Sequence, residues 1–391
     1  MQLLLIDFSH TWGVTQAHIL ELACALQQEQ RFHLCLCCPH GSPLARKATA
    51  LSVPILPLWG TGAWNPFNLL RLWLLTRAEN HCLIHTFSTV AAHLGAQVQR
   101  LRPPQRTVLI HTCHTHQTLG ENQEDTETLP AYWQQADIVL CGNQNMRTRL
   151  LKTGLDTRKI LCLPAGVDTT ALPPRASLPE QRFIIAAMTA RTDTAAHSVL
   201  LKAMAALWQS ENIPPWELRI FGVCPNFQSL LDEAIALGVE SRLALLGPQD
   251  LREVLPHCHV LVAPGMQPHG SLPAMAAAWA TGLPLICPAL ATNMEWAVHE
   301  KNALLYKAED PQALATHLKR LMRDAPLYLS LADGGLHTLP TTSIDHAVCQ
   351  CRALYAQCLK KNGWVLPPAA SLCTDPRPNS TEDPSPQTPA L

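Results

Sequence analysis

Short apolar runs alternate with helical patterns along most of the chain, and this alternation constrains the fold more than any other feature. Leu3–Ile6 is followed by a turn at Gly13 and a helical pattern over Gln16–Gln28. Phe32–Cys38 is followed in the same way by Pro43–Ala50. Strands that alternate with helices build βαβ units around a parallel sheet. The sequence therefore predicts an α/β fold.

The alternation continues in two stretches of the chain. In the first, the predicted strands and helices are Ile55–Leu58, Pro66–Arg77, Cys82–His85, Thr89–Arg100, Thr107–Thr112 and Ile138–Cys141. In the second, they are Phe183–Ala187, Val199–Gln209, Glu217–Phe221, Phe227–Leu237, Leu243–Leu246, Leu251–Leu255 and Val260–Ala263. Each stretch predicts one doubly wound half, and ligands of such sheets bind at the carboxyl ends of the strands.

A segment rich in proline, residues 164–180, separates the two halves and is typical of an interdomain linker. The helical pattern near the C-terminus predicts a helix that packs back toward the N-terminal domain. The last residues are rich in Pro, Ser and Thr and are predicted to be disordered. The expected units are an N-terminal domain (1–165), a linker (166–182), a C-terminal domain (183–345), the returning helix (346–365) and the tail (366–391).

The composition agrees with two domains and excludes some functions. The chain has 391 residues, more than one typical core accommodates, and 47% of them are apolar. A net charge of -1 argues against a nucleic-acid-binding protein, which usually has a basic excess. The N-terminus lacks the basic segment of a signal peptide, and no apolar run reaches the roughly 18 residues of a membrane span. We therefore expect a cytoplasmic protein.

The fifteen cysteines are an odd number, and they are scattered along the chain. Many lie in apolar runs, which predicts buried free thiols in a reducing compartment. Cys35 and Cys38, with His33 and His40 nearby, leave a metal or redox site as an alternative to an ordinary strand and its turn.

A run of small residues around Ala277 begins the most specific pattern in the chain. It leads into the turn Gly282–Pro284, the apolar strand Leu285–Cys287 and a lone acid at Glu295, and Asn302–Tyr306 follows. This order resembles the donor-sugar half of the family 4 glycosyltransferases. That family carries a glutamate at the position of Ala277.

The resemblance implies the GT-B fold, in which two Rossmann-like doubly wound domains face each other across a cleft. It implies an enzyme that moves a hexose or heptose from a nucleotide-sugar donor to a glycan or lipid-linked acceptor, with retention of configuration. Such enzymes often build surface polysaccharide or lipopolysaccharide. They usually hold the donor diphosphate without a metal, so we expect the nucleotide sugar as co-substrate and no cofactor or metal.

Two strand ends of the first half match the family. Gly13 opens the first helix, where a glycine lets the backbone approach a ligand, although a tight turn explains it equally well. His85–Ser88 resembles the family's His-Thr-His-Ser, and a run that ends at His114 resembles its Val-x-x-Thr-x-His. The resemblance places His114 at the reacting sugar as the catalytic candidate, because an imidazole can orient the acceptor or relay a proton. His111 and His116 are competing candidates, and a strand-end histidine without function is the other alternative.

The donor diphosphate needs cations, and the resemblance implies an Arg and a Lys in the first strand–helix turn of the second domain. This chain has Ala190 and Ala195 at those positions, and Arg191 lies one residue away. Each lost charge-assisted phosphate contact costs about 1.5–3 kcal/mol of binding free energy. Arg191 is therefore the expected phosphate ligand, and Gly222, after the next strand, is expected to line the nucleotide pocket.

The donor loop departs furthest from the family pattern, which has two glutamates there, one for the transferred sugar and one for the ribose. Ala277 holds the second position, and the first falls on His269, or on Gln267 if two residues are inserted. Glu295 matches the acid after the loop, and Asn293 precedes it at a predicted helix start, whose N–H groups suit a phosphate. The expected donor-binding residues are Gly13, Arg191, Gly222, Gln267, His269, Gly270, Asn293 and Glu295.

Two alternatives stay open. The lysine and both glutamates of the family pattern are missing together in this chain. Their absence favours, as an alternative to the enzyme, a catalytically inactive GT-B protein that binds a glycan, a nucleotide or a partner enzyme. The helix Pro66–Arg77 is strongly apolar and contains two arginines and a tryptophan. It either covers the sheet or lies on the inner membrane near a lipid-linked acceptor.

Overall fold

The computed structural model describes residues 1–28, 32–60, 65–77, 79–103, 106–113, 131–169, 172–174, 182–189, 194–222, 227–247, 249–265 and 272–361. Within these ranges the chain forms two parallel sheets, and an apolar core lies on each face of each sheet. The predicted α/β fold with two doubly wound halves is confirmed.

The first unit is built on a seven-stranded parallel sheet. Its strands are β1 (Gln2–Ile6), β2 (His33–Pro39), β3 (Ile55–Leu58), β4 (Cys82–Thr86), β5 (Thr107–Cys113), β6 (Ile138–Cys141) and β7 (Ile160–Cys162). Its helices are α1 (Val14–Gln28), α2 (Pro43–Ala50), α3 (Pro66–Arg77), α4 (Thr89–Arg100), α5 (Ala131–Gln135) and α6 (Gln144–Lys152). The strand order is β3-β2-β1-β4-β5-β6-β7, so the order changes direction between β1 and β4, where such sheets bind their ligands.

The second unit repeats this topology with six strands. They are β8 (Phe183–Thr189), β9 (Trp216–Gly222), β10 (Leu243–Gly247), β11 (Val260–Val262), β12 (Leu285–Pro288) and β13 (Leu304–Tyr306). Its helices are α7 (Thr194–Trp208), α8 (Phe227–Ala236), α9 (Leu251–Val254), α10 (Leu272–Ala280), α11 (Pro311–Arg323) and α12 (Ala325–Thr342). The strand order is β10-β9-β8-β11-β12-β13, which places the change of direction between β8 and β11.

The local sequence explains where several of these elements lie. Every residue of β1 and of β4 is buried, because helices cover both faces of the sheet. Ser42 and Ser88 cap α2 and α4 through their hydroxyl oxygens, so these helices begin where the sequence predicts. The helix predicted from Val199 begins earlier, at Thr194.

Two crossovers between the units run side by side. Val167 pairs with Ser343, and the N–H groups of Val167 and Ile344 donate to the carbonyl oxygens of Thr342 and Val167 at 3.0 and 3.1 Å. A Cβ at Gly166 would overlap the backbone of Ser343 and Ile344. Only a glycine permits this close approach of the two crossovers.

After the second crossover, α13 (Ile344–Lys361) returns to the first unit and completes its core. The hydroxyl of the buried Tyr355 lies 2.6 Å from Nδ1 of His85, whose Nε2 lies 2.5 Å from Oγ1 of Thr112. Burial raises the pKa of Tyr355 well above its usual value, so the phenol stays protonated. These bonds attach the last described helix to β4 and β5 at the middle of the sheet.

The outer face of α3 is apolar and exposed. Phe67, Leu70 and Leu74 are 72%, 50% and 52% exposed. The buried face instead contains Asn68, whose amide accepts from the N–H of Trp59 at 3.0 Å and donates to its carbonyl at 2.8 Å. The helix covers the sheet and also leaves an apolar stripe in water.

No helix within the described residues is long and apolar enough to cross a membrane. The cysteines in the described ranges are free thiols, and most are buried.

Replacing Tyr355 by Phe removes the hydroxyl and leaves a buried nitrogen of His85 without that partner. We expect Tyr355→Phe to lower the free energy of unfolding by about 1–3 kcal/mol, measured by urea denaturation. Tyr132→Phe, at a half-buried tyrosine, is the matched control and should change the stability much less. Equal stability of the Tyr355 variant and the wild type would contradict the assigned role.

Candidate active site at the interdomain cleft

The carboxyl edges of the two sheets face each other. Glu295 lies in the turn after β12, and its carboxylate accepts hydrogen bonds from the N–H of Gln144 at 2.9 and 3.0 Å and of Asn145 at 3.3 Å. These two residues begin α6, directly after β6 of the first unit. The segments that follow β12 and β6 therefore meet across a cleft between the two units. The walls of this cleft are the carboxyl edges of the two sheets, where such sheets bind ligands.

The N-terminus of α6 explains why an acid binds there. Asn143 caps the helix, with its Oδ1 accepting from the N–H of Met146 at 2.7 Å. The other first-turn N–H groups have no partner inside the helix, and the helix dipole favours an anion beside them. Glu295 supplies that anion from the opposite unit. Its predicted contact with the donor stays a prediction, and sequence reasoning missed its partner, although Asn143 after an apolar strand is a helix-start signal.

Asp7 is a buried carboxyl group at the end of β1, and sequence reasoning missed it. It is 1% exposed; Nε2 of Gln16 donates to its Oδ2 at 3.0 Å, while its Oδ1 has no partner in the described part of the chain. Burial raises the pKa of Asp7, against the opposing effect of the hydrogen bond from Gln16. The signal in the sequence is a carboxylate that ends an apolar strand at a βα turn. A perturbed carboxyl group in such a place is typical of a functional position.

Gly13 lies at the start of α1, next to this carboxyl group. Its carbonyl oxygen accepts the N–H of Ala17 at 3.0 Å, and a Cβ at Gly13 would lie 3.3 Å from Oε1 of Gln16. A side chain there would press on the amide that holds Asp7. The glycine therefore leaves room for the Asp7–Gln16 pair, and its contact with the donor stays a prediction.

His111 is a buried histidine of β5. Nδ1 of His111 lies 2.9 Å from Oγ1 of Thr86, and its ring packs edge-on against Trp133 at 4.6 Å. Burial lowers the pKa of His111 to about 4, so the ring is neutral at pH 7 and lies in the core. His111 is therefore a poor candidate for contact with an acceptor. His114, the predicted catalytic residue, and the competing His116 lie outside the described residues.

In the second unit, the ends of β8 and β9 meet at the cleft edge. Gly222, the last residue of β9, has a φ of +120°, which favours glycine, and it pairs with Thr189 at the end of β8. The predicted phosphate ligand Arg191 follows β8 in sequence but lies outside the described residues. The contact of Gly222 with a nucleotide stays a prediction.

Most residues of the helix α10 are buried. Ala277 is fully buried, and the apolar cluster around it includes Phe221, Trp279 and Leu283. A glutamate at position 277 would enter this apolar environment, so α10 has no equivalent of the ribose contact that the family resemblance implies. The predicted donor-loop residues Gln267, His269 and Gly270 lie outside the described residues.

The helix start predicted at Asn293 is wrong, because residues 291–296 form turns. The N–H groups of Asn293 and Met294 both donate to the carbonyl of Leu290 at 2.9 Å. The side chain of Asn293 is buried, and its Nδ2 donates to the carbonyl of Pro288 at 3.0 Å. These N–H groups are committed to the turn, and Asn293 supports the loop that carries Glu295. Its contact with the donor stays a prediction.

The described part of the chain has no group of three or more His, Cys, Asp or Glu side chains that could hold a metal ion. What the cleft does contain is the carboxylate of Glu295 bound to the N-terminus of α6, the buried carboxyl group of Asp7, and glycines at the start of α1 and the end of β9. A carboxyl group accepts hydrogen bonds from the hydroxyl groups of a polar ligand, and a glycine lets the backbone approach such a ligand closely.

Two facing doubly wound parallel sheets define the GT-B class of glycosyltransferases. Residues 15–171 match the profile of Glycosyltransferase Family 4, and residues 181–324 match that of Glycosyl transferases group 1. The two matches lie one on each unit. The chain belongs to glycosyltransferase family 4.

Individual relatives agree with this class. A D-inositol 3-phosphate glycosyltransferase of Salinispora arenicola is 24% identical over 328 residues, which span 77% of this chain and 68% of the relative. The crystal structure of HepE from Anabaena with UDP and glucose is similar with a TM-score of 0.73 and 16% identity, over 91% of this chain and 99% of HepE. The lipopolysaccharide outer core galactosyltransferase WaaB is similar with a TM-score of 0.69 and 12% identity, over 91% of this chain and 100% of WaaB.

Replacing Asp7 by Asn tests the buried carboxyl group. Because the folded-state pKa of Asp7 is raised, its stabilising contribution is complete below the unfolded value of 3.8 and is lost as the pH rises through the folded value. We therefore expect Asp7→Asn to be more stable than the wild type at pH 7, with a difference that disappears as the pH falls toward 3.8. Urea denaturation at several pH values measures this.

Asp156→Asn is the control, since Asp156 is at the surface and the hydrogen bond from Arg158 lowers its pKa. That variant should show no gain at pH 7. A stability difference for Asp7→Asn that does not vary with pH would rule out the raised pKa.

Proposed function

We propose that the protein transfers a sugar from a nucleotide-sugar donor to a glycan or lipid-linked acceptor during synthesis of surface polysaccharide or lipopolysaccharide, with retention of configuration. The observation that carries this proposal is the contact of Glu295 with α6, since it brings the ligand-binding edges of both sheets together. The UDP and glucose in the HepE complex and the outer core activity of WaaB support a nucleotide-sugar donor and a surface glycan.

In this mechanism the second unit holds the donor and the first unit the acceptor. The donor diphosphate lies at the carboxyl ends of β8 and β9, against the turn at Gly222, with Arg191 as its cation. The leaving diphosphate gains negative charge as the sugar departs, so a nearby guanidinium stabilises the transition state more than the ground state. The acceptor hydroxyl lies near His114, which orients it or accepts its proton. The nucleotide sugar is the co-substrate, and no metal ion takes part.

Calorimetric titration with UDP, GDP and ADP tests donor binding. Removing a charge-assisted phosphate contact costs about 1.5–3 kcal/mol, so Arg191→Ala should weaken binding of the preferred diphosphate by at least about tenfold. Arg182→Ala is the matched control, because Arg182 precedes β8 at the opposite edge of the sheet and pairs with Glu217. Equal affinity of the Arg191 variant and the wild type would contradict the proposed phosphate site.

A second candidate function is a catalytically inactive GT-B protein that binds a nucleotide, a glycan or a partner enzyme. The burial of Ala277 among apolar residues favours it, because a family carboxylate is replaced by packing there. The two candidates differ in turnover. Release of sugar from the bound UDP sugar in the presence of acceptor extracts supports the enzyme, and binding without release supports the inactive protein.

We also propose that the protein is cytoplasmic and that the outer face of α3 contacts the surface of the inner membrane. The exposed Phe67, Leu70 and Leu74 form one apolar stripe, and Arg77 at the end of the helix stacks over Trp73 at 4.6 Å. Apolar side chains beside a cation are typical of a helix that lies on an anionic lipid surface.

Sedimentation with phosphatidylglycerol vesicles measures this contact. Burying a fully exposed leucine in lipid contributes about 1.5–3 kcal/mol. Leu70 and Leu74 are each about half exposed, so together they contribute about this amount, and Leu70→Ser with Leu74→Ser should lower vesicle binding at least about tenfold. Leu329→Ser with Leu336→Ser, at leucines of α12 that are 65% and 46% exposed, should leave it unchanged. If the wild type stays in the supernatant with these vesicles, the contact is refuted.

A further inference from the structure

Three exposed aromatic side chains follow the carboxyl ends of β1, β2 and β3. The mechanism proposed above gives them no role. Trp12 follows β1, His40 follows β2 and Trp59 follows β3. Trp12 and Trp59 are 38% and 56% exposed, and His40 is also exposed. Because the strand order is β3-β2-β1, the three loops lie side by side over two strand spacings, about 10 Å.

Each indole is held by a neighbour. Nζ of Lys47 lies 4.1 Å from the centre of the Trp12 ring. The ring of His40 stacks on Trp59, with centroids 5.6 Å apart and 27° between the planes. The side-chain amide of Asn68 forms hydrogen bonds with both the N–H and the carbonyl group of Trp59. Large aromatic side chains that are both ordered and exposed are typical of a binding surface.

The chemistry of these side chains matches a sugar. A pyranose ring has an apolar face of C–H groups, which packs against an indole, and a rim of hydroxyl groups, which needs hydrogen-bond partners. Lys47 supplies donors and His40 supplies a donor and an acceptor beside the indole faces. A lipid surface selects a continuous aliphatic stripe instead, such as the outer face of α3.

We propose that Trp12, His40 and Trp59 form a track that binds the acceptor as an oligosaccharide. The track begins beside Asp7, at the strand where the sheet order changes direction, and extends outward to the edge strand β3. An acceptor with a single ring reaches one indole only, so the two indoles select a chain of several sugars. This inference rests on the proposed transferase function, and it specifies the acceptor of that reaction.

Binding to an array of immobilised oligosaccharides, from monosaccharides to hexasaccharides, tests the track on the full-length protein. We expect the wild type to retain oligosaccharides more strongly than monosaccharides. Trp12→Ala and Trp59→Ala should each weaken that binding about tenfold, the effect of losing one stacking contact. Trp59→Phe keeps an aromatic face and should retain most of the affinity.

Trp208→Ala is the matched control, because Trp208 is a 49% exposed indole stacked with Arg242 at 4.5 Å in the second unit. Titration with UDP separates the two proposals, since both track variants should bind UDP like the wild type. Three results would overturn the track while UDP still binds. They are no retention of any oligosaccharide by the wild type, equal retention by the Trp59→Ala variant, and loss of phosphatidylglycerol vesicle binding alone on removal of Trp59.

Discussion

The contact of Glu295 with the N-terminus of α6 is the interaction on which the functional account depends. The carboxylate comes from a turn after a strand of one unit, and the two N–H groups come from a helix that follows a strand of the other. Each of the two sheets has a ligand-binding edge because of its topology. The contact brings these edges face to face, as the proposed transfer from a donor on one edge to an acceptor on the other requires. A charge-assisted bond to a helix end contributes about 0.3–1 kcal/mol at a surface, which is strong enough to favour closure and weak enough to permit opening.

The last described helix, α13, connects the two units a second time. The second crossover leaves the second unit beside the first crossover, at Gly166, and α13 then fills a gap in the core of the first unit. Tyr355 secures it to His85 and Thr112. The first unit therefore needs a segment that follows the second unit in sequence, and this connectivity couples the folding of the two halves.

Sequence patterns predicted those elements whose signals are local. The helices α2, α3 and α4 begin and end where the sequence predicts. Serine caps begin α2 and α4, and Asn65 precedes α3, where its Oδ1 accepts from the N–H of Phe67. The fold class followed from alternation alone. The helix predicted at Asn293 does not form, because its side chain bonds the carbonyl of Pro288 within a turn, a contact that no sequence pattern encodes.

The candidate site was less predictable, since its contacts are not local. Asp7 differs from an ordinary turn acid only through its burial, and burial depends on the neighbouring strands. The partner of Glu295 lies about 150 positions away in sequence, on another unit. A family pattern gave the position of Glu295 but not its bond. The aromatic track is visible only once the strand order places three separate loops together.

Hydrogen exchange at the backbone amides of Gln144 and Asn145 tests the interdomain contact most directly. Both amides should be protected in the wild type, and Glu295→Ala should increase their exchange rates. Glu253→Ala, at an exposed residue of α9, should leave them unchanged. Addition of UDP should slow exchange again in the variant by holding the cleft closed. Unchanged exchange at both amides after removal of the Glu295 carboxylate would contradict the contact and the closed cleft built on it.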